Sequence, residues 1–413
     1  MPYKELKNCL VCDNQNLSTY LDLGEQPLAN TYPEQPAELP KYPLKVNFCL
    51  NCSHSQLSHA VDPKLLFSNY LYVSGTTETL KRHFQELAFW AKLVWKRQSI
   101  ELHKAVVSLE IGGNDGSLAQ EFKYIGCLTT VVDPAENLKH LVESKNIEVK
   151  TDFFSYEFAK QWKRKFSIIT ALNVVAHNPN PKDFLLGCKE ALEDDGILII
   201  EFPYNRSVIK SLDFGQVYLE HFSYWSVKSF KTLCDKVGLI ISDIKYFSKI
   251  HGGTIRFTLT KNSKIPQTSD VSAYLTDEYL EYMHNFSTYL NYVKAIDDNL
   301  NDLYSVLIEL KKRCFTVIAY GASAKSATLF NYNPRIAKLI SYVLDDNELK
   351  IGRYCPGSNL LIKSPKNIQN SLGGIAVLLT VHNFKDEILK RLKSIGITGK
   401  IINYVPEVSV EDL

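Results

Sequence analysis

Two Cys-x-x-Cys pairs, Cys9/Cys12 and Cys49/Cys52, stand 36 residues apart near the start of this 413-residue chain and narrow what it can fold into more than any other feature. Two thiolate pairs on tight turns can close a tetrahedral four-sulfur shell around zinc with no position left for substrate, so the spacing predicts a structural metal site. The opening run Met1-Pro2-Tyr3-Lys4-Glu5 has no apolar signal core, so the thiols are expected to stay reduced and bind metal rather than form disulfides. An iron–sulfur cluster is the rival that the spacing leaves open. Cys127, Cys188, Cys234, Cys314 and Cys355 follow no pattern and read as small apolar packing residues. Residues 1–78 are broken by Pro27, Pro33, Pro36, Pro40 and Pro43 and look too irregular to form a core without the metal.

Composition is that of a globular chain, 45% hydrophobic and 22% charged, with a formal net charge of +2. Lysine and arginine form no basic block, so neither nucleic acid nor a membrane surface is expected as a partner. No run approaches the 18 apolar residues of a membrane span. A cytoplasmic protein, monomeric in the simplest case, is the expectation.

From 79 to 265, apolar runs at 106–111, 129–132, 167–172 and 196–201 alternate with amphipathic stretches, which predicts a parallel, doubly wound sheet. Residues 266–312 read as a helical linker, one long helix or a broken pair. Its stripe is Leu275, Tyr279, Tyr282, Phe286, Leu290, Val293, Ile296, Leu300, Leu303, Leu307 and Leu310. A second alternating unit, 313–413, has runs at 315–319, 339–344 and 375–379.

The first of these runs leads into Gly112-Gly113-Asn114-Asp115-Gly116 and then a helix from Ser117, so a strand meets a helix start through a tight turn. Glycines let backbone approach a cofactor, and Asp133 at the next strand end can accept both hydroxyls of a ribose. The spacing is not G-x-G-x-x-G, and Glu110 before the glycines suits the cationic end of S-adenosylmethionine better than a pyrophosphate. Asp152 and Phe153 fall where an adenine contact belongs, and Asn173 ends the run that leads to His177. A plain strand-to-helix turn is the alternative.

Tyr218, Glu220 and His221 then bring together a phenol, a carboxylate and an imidazole. They offer a proton acceptor, a group to orient it and a donor for a developing oxyanion, the equipment of carbon-acid chemistry. The loop Gly321 to Ser326 is too short for a G-x-x-x-x-G-K-[ST] site, yet a helix start beside Lys325 and Ser326 can receive a diphosphate. His251, Gly252 and Gly253 form a further turn close to Arg256, also assigned to substrate.

These motifs, with Leu23-Gly24-Glu25-Gln26-Pro27-Leu28-Ala29 and Tyr404-Val405-Pro406-Glu407-Val408, run in order through nearly all of the chain. In them the chain resembles the C-methyltransferases that act at C3 of nucleotide-linked 4-keto deoxyhexoses. The resemblance implies an α/β protein in three parts: a small N-terminal zinc module, a central Rossmann-like S-adenosylmethionine-dependent methyltransferase domain, and a C-terminal Rossmann-like α/β domain that binds the nucleotide sugar. It makes His221 the base that removes the proton beside the ketone, with Glu220, Tyr218, His177 and Tyr72 in the sugar pocket. The chain departs from the family at Gly113, where a serine is common, in the serine-poor segment Val73-Ser74-Gly75-Thr76-Thr77, and at Phe202, which replaces a more polar residue.

Overall fold

The computed structural model describes every residue except 1, 69–72, 74, 76–77, 100–103, 251, 266–268 and 369–373. The first strands are β1 (Tyr3–Glu5), β2 (Leu17–Pro27), β3 (Lys41–Cys49), β4 (Ser55–Leu57) and β5 (His59–Val61). β2 and β3 pair antiparallel from Leu17↔Cys49 to Pro27↔Lys41, with Pro27 closing its strand and Pro43 next to a register shift, where a missing N–H disturbs the ladder least. The prolines therefore do not prevent a sheet. Nor is its core a private one: Leu21, Leu23, Leu44, Val46 and Phe48 lie in one buried cluster with residues of the long helix and of the C-terminal sheet.

The central strands are β6 (Val107–Ile111), β7 (Leu128–Val132), β8 (Glu148–Lys150), β9 (Phe166–Leu172), β10 (Leu192–Pro203), β11 (Ser223–Tyr224), β12 (Ile240–Phe247) and β13 (Thr254–Thr260). Seven of them form a sheet in the order β12-β13-β10-β9-β6-β7-β8. β6 to β10 are parallel, and the central ones, β9 and β10, are nearly continuous buried runs, as strands covered on both faces must be. β13 runs antiparallel to both β10 and β12, so the sheet is mixed rather than wholly parallel, because the short link from β12 to β13 cannot make a crossover. β11 leaves this sheet and becomes an edge strand of the zinc module, in the order β11-β4-β3-β2.

The linker stripe resolves into two helices, Ser269–Leu280 and Phe286–Lys312. Ile296, Leu300, Leu303, Leu307 and Leu310 are buried as their spacing predicts, whereas Tyr279, Tyr282 and Leu290 are exposed. The helix phase slips where the chain turns at 281–285, and Tyr289 and Tyr292 take the inward positions. At about 1.5–3 kcal/mol for each fully buried large side chain, this face alone holds the long helix against the zinc sheet and the C-terminal domain.

That last domain carries β14 (Thr316–Tyr320), β15 (Val343–Leu344), β16 (Ile362–Lys363), β17 (Ile375–Leu379), β18 (Gly399–Asn403) and β19 (Ser409–Asp412), in the order β16-β15-β14-β17-β18-β19. All are parallel except β19 at the edge. Cys127, Cys188, Cys234 and Cys355 are buried as expected, but Cys314 is exposed. Among the described residues no helix is long and apolar enough to cross a membrane.

Candidate active site

The four N-terminal thiols converge. Cys9 and Cys52 sulfurs are 3.5 Å apart, as are those of Cys12 and Cys49, and all four lie within 4.8 Å of one another. A zinc with ~2.3 Å Zn–S bonds needs sulfurs ~3.8 Å apart at tetrahedral angles, so the donor set fits. Both knuckles repeat one turn, with Asp13 N–H on Cys9 O and Ser53 N–H on Cys49 O. The hydrogen bond from Cys52 draws the Cys9 thiol down to about 6, so a thiolate is at hand at neutral pH. Four sulfurs complete the shell and none of them lines the cleft described below, as a structural site requires.

A single cleft of about 1860 Å³ is lined by all three parts of the chain. One-ligand sites usually span ~300–1,000 Å³, so there is room for two sizeable molecules side by side. On the central-domain side, β6 delivers Glu110 and then the glycine turn. Gly112 has φ +68°, and a Cβ there would collide with Val174; one on Gly113 would meet Val131 at 2.7 Å and Glu110 at 3.2 Å. A serine at 113 would crowd this wall, and the glycine keeps it open. Asn114 N–H donates to Asp133 Oδ2 at 2.8 Å and Ala135 N–H to Oδ1 at 2.8 Å, which aims that carboxylate and leaves further lone pairs on it. Asp152 and Phe153 line the same end. Gly116 closes the turn against Val142, outside the cleft wall.

Two buried acceptors here have no partner among the described residues: Glu110 Oε2 and Asn173 Oδ1. Burial, with Asp115 and Asp133 close by, pushes the Glu110 carboxyl well above its ordinary value. An orphaned buried acceptor costs about 1–3 kcal/mol, and the ammonium and sulfonium of S-adenosylmethionine are of the right sign to offset that cost. The cradle fits the cofactor.

Deeper in, His221 Nδ1 lies 2.7 Å from Gln216 O, and Nε2 lies 2.7 Å from Tyr218 Oη. A carbonyl can only accept, so Nδ1 carries a proton, and in the neutral ring Nε2 presents its lone pair to the phenol. His177 repeats the scheme: its Nδ1 donates to Glu220 O at 2.8 Å, and its ring is 4.6 Å from that of His221. Burial pushes His177 down to about 4, so it is neutral at pH 7. Tyr218, His177 and His221 all face the cleft.

The Glu220 carboxylate orients neither imidazole. It turns toward the zinc module, where Oε1 accepts from Asn30 at 3.0 Å and Oε2 is buried with no partner among the described residues. Burial pushes it up to about 7, its own amide and Asn30 pulling the other way. The folded chain thus holds a proton there that the unfolded chain, at 4.5, has lost. Stability should fall as pH rises from about 4.5 through 7, by about 3 kcal/mol at most. Glu220→Gln, which keeps the Asn30 contact, should melt higher than wild type at pH 8, with the gap closing by pH 5. Parallel melting curves for the two proteins across that range would refute this.

Other expected site residues sit elsewhere. Tyr72 and His251 lie outside the described residues. Arg256 is buried on β13 with its guanidinium on Glu201 at 2.5 Å and over the rings of Phe247 and Trp90, on the strand face opposite Ile255 and Phe257; it does not line the cleft. Glu201 also holds His83 at 2.8 Å. Gly253 packs against Ser207 and Tyr246, which leave no room for a side chain. Ser326 is buried in a capping box with Ser323 and serves the helix Ala324–Tyr332. Lys325 lines the cleft, but its ammonium is 2.6 Å from Asp213. Gln216, Asn30 and His83 were not singled out from the sequence, and no spacing rule would have found them.

Fold and cleft define a zinc-carrying, S-adenosylmethionine-dependent methyltransferase. Three family models match in chain order: a putative zinc binding domain over residues 9–67, a methyltransferase domain over 81–242 and a C-methyltransferase C-terminal domain over 249–406. The chain is 25% identical over 415 residues to the C-methyltransferase NovU of Streptomyces niveus, covering 98% of this chain and 96% of that one. A shorter match, 32% over 101 residues and 22% of this chain, is to 43% of a ubiquinone biosynthesis O-methyltransferase of Glaesserella parasuis serovar 5 (strain SH0165). Among solved structures, magnesium protoporphyrin IX methyltransferase (ChlM) from Synechocystis PCC 6803 with bound SAM is similar at a TM-score of 0.34 and 13% identity, over 44% of this chain and 79% of that one. In the order and extent of these matches the chain is similar to C-methyltransferases of this three-part build.

Proposed function

We propose that the protein transfers a methyl group to C3 of a nucleotide-diphosphate-linked 4-keto-deoxyhexose through an enolate, in the making of a branched deoxysugar. The observation that carries this reading is the pairing of His221, whose Nδ1 donates to the Gln216 carbonyl while Nε2 lies within a hydrogen bond of the Tyr218 hydroxyl. A proton beside a ketone is only weakly acidic, so it needs both a neutral base and a donor to the oxygen that becomes charged. In this reading His221 takes the C3 proton at Nε2, Tyr218 turns its hydroxyl to the enolate oxygen, and His177 lines the sugar. S-adenosylmethionine, when bound, supplies a sulfonium methyl that the resulting carbanion can accept. Glu110, Gly112, Asn114, Asp133, Asp152, Phe153 and Asn173 would hold it. The nucleotide would lie across the C-terminal wall at Gly321, Ser323 and Ala324, where the helix start offers N–H groups without intrahelical partners.

Wild-type enzyme should wash deuterium into C3 of the correct 4-keto sugar nucleotide in D2O without S-adenosylmethionine, and should then form a new C–CH3 bond seen by NMR. A methyl group found on oxygen, with no exchange, would replace this reading by heteroatom transfer. The cofactor half has its own check. Glu110→Leu removes a charge-assisted contact of about 1.5–3 kcal/mol, so the Kd for S-adenosylhomocysteine, which keeps the ammonium, should rise roughly 10- to 100-fold; calorimetry showing no change would discard Glu110 as a ligand.

A further inference from the structure

We propose that Asp213, gripped by Lys325 and His382 of the C-terminal domain, is a positioning residue for His221, so that docking of that domain completes the base. The inference rests on the reading of His221 as base. Asp213 is buried, its side chain 3% exposed. One oxygen, Oδ2, receives Lys325 Nζ at 2.6 Å, Gln216 Nε2 at 3.2 Å and His382 Nε2 at 3.3 Å, while Oδ1 has no partner among the described residues. Burial alone would raise its carboxyl, but the Lys325 charge and the contact with His382 outweigh that and hold it well below the usual carboxylate range.

The chain of contacts then runs through one residue. The Gln216 side chain donates to Asp213, and the Gln216 carbonyl accepts from His221 Nδ1 at 2.7 Å. Whatever fixes Gln216 also fixes which nitrogen of His221 carries the proton. The segment between them is a tight turn closed by Gln216 N–H on Asp213 O and Val217 N–H on Phe214 O.

The helix Ala324–Tyr332 holds this turn at both ends. Lys325 grips Asp213 and lays its stem on Gly215, where an added Cβ would come within 2.9 Å of it. Thr328 Oγ1 donates to Val217 O at 2.9 Å. Gln216 lies between the two clamps. Lys325 is thus engaged by an internal carboxylate and is not a free cation waiting for a diphosphate.

The test uses full-length zinc-loaded enzyme with 15N-labelled histidine, and the His221→Asn variant assigns the His221 signal among the ten histidines. Lys325→Met and Asp213→Asn should shift the His221 ring nitrogens away from a pure Nδ1–H form and lower the saturating rate of C3 deuterium exchange roughly 10- to 100-fold, the usual cost of losing such an orienting partner. Lys325→Arg should restore most of that rate. Calorimetric Kd values for S-adenosylhomocysteine and for UDP and thymidine diphosphate should stay within about twofold of wild type, as for an intact binding surface. His382→Gln, which removes the longest contact, is the milder variant should the others fold poorly. An unchanged tautomer and rate would reduce the cluster to a structural clamp. A nucleoside diphosphate bound tenfold more weakly, with the saturating rate intact, would return Lys325 to the ligand. If His221→Asn itself keeps the exchange, the base assignment fails; if it loses the exchange while Lys325→Met keeps it, only the positioning role fails.

Discussion

His221→Asn should lose the exchange of deuterium at C3 and lower methyl transfer by about 10²–10⁴-fold, the range that a well-placed general base contributes. The substitution is chosen so that little else moves. An asparagine amide can still donate to Gln216 O, which now accepts the ring N–H at 2.7 Å, so the turn beneath it stays satisfied. Only the accepting nitrogen facing Tyr218 disappears. His177 keeps its own bond from Nδ1 to Glu220 O. The Kd for S-adenosylhomocysteine should be unchanged, since the cradle at Gly112 to Asp133 shares no hydrogen bond with His221 among the contacts above. Turnover within tenfold of wild type would remove His221 from the chemistry and with it the carbon-acid route.

Removal of the zinc should be as damaging, though no metal ligand touches the cleft. In small sites such a metal contributes ~10–16 kcal/mol of folding free energy, against ~5–15 kcal/mol for the net stability of a typical domain. The damage has a defined path. Gln56, beside the knuckles, accepts from Leu10 N–H at 2.7 Å and donates to Asn8 O at 3.1 Å. The same residue pairs in β4 with Ser223 of β11, and Leu57 N–H donates to Phe222 O at 3.0 Å. Loosening the knuckles therefore loosens the strand that begins two residues after His221. Chelation, or Cys49→Ser, should lower the melting temperature and the exchange rate together while S-adenosylhomocysteine binding declines far less. Full activity in protein with under a tenth of a zinc per chain would show the link to be absent.

The parts of the fold that depend on periodicity were legible before any coordinates. The run at 375–379 is β17 residue for residue, and the four sulfurs meet as their doubled spacing requires. The glycine turn and Asp133 also fall where a strand-turn-helix pattern puts them. What escaped was whatever depends on a backbone group or a distant partner. The acceptor that fixes His221 is a carbonyl, which every residue type possesses, so no residue pattern marks Gln216. The carboxylate beside His221 in sequence faces the other way, toward Asn30, 190 residues distant. Arg256 and Ser326 were given to substrate on residue type alone. A Ser-x-x-Ser cap was the available signal for Ser326; alternation puts Arg256 on the polar face of β13, and only its distant partner Glu201 accounts for its burial.

Because β11 leaves its own sheet to finish that of the zinc module, the two cannot be handled as separable parts. A central domain expressed alone would present a bare strand edge and an apolar floor with nothing over it, an invitation to aggregate. For the same reason, chimaeras that exchange the front module between relatives would transplant one half of a ladder whose other half stays behind. Such grafts should work only when the Ser55–Leu57 and Ser223–Tyr224 segments travel together, and a family built this way is expected to diversify by altering the walls of its cleft rather than by trading modules.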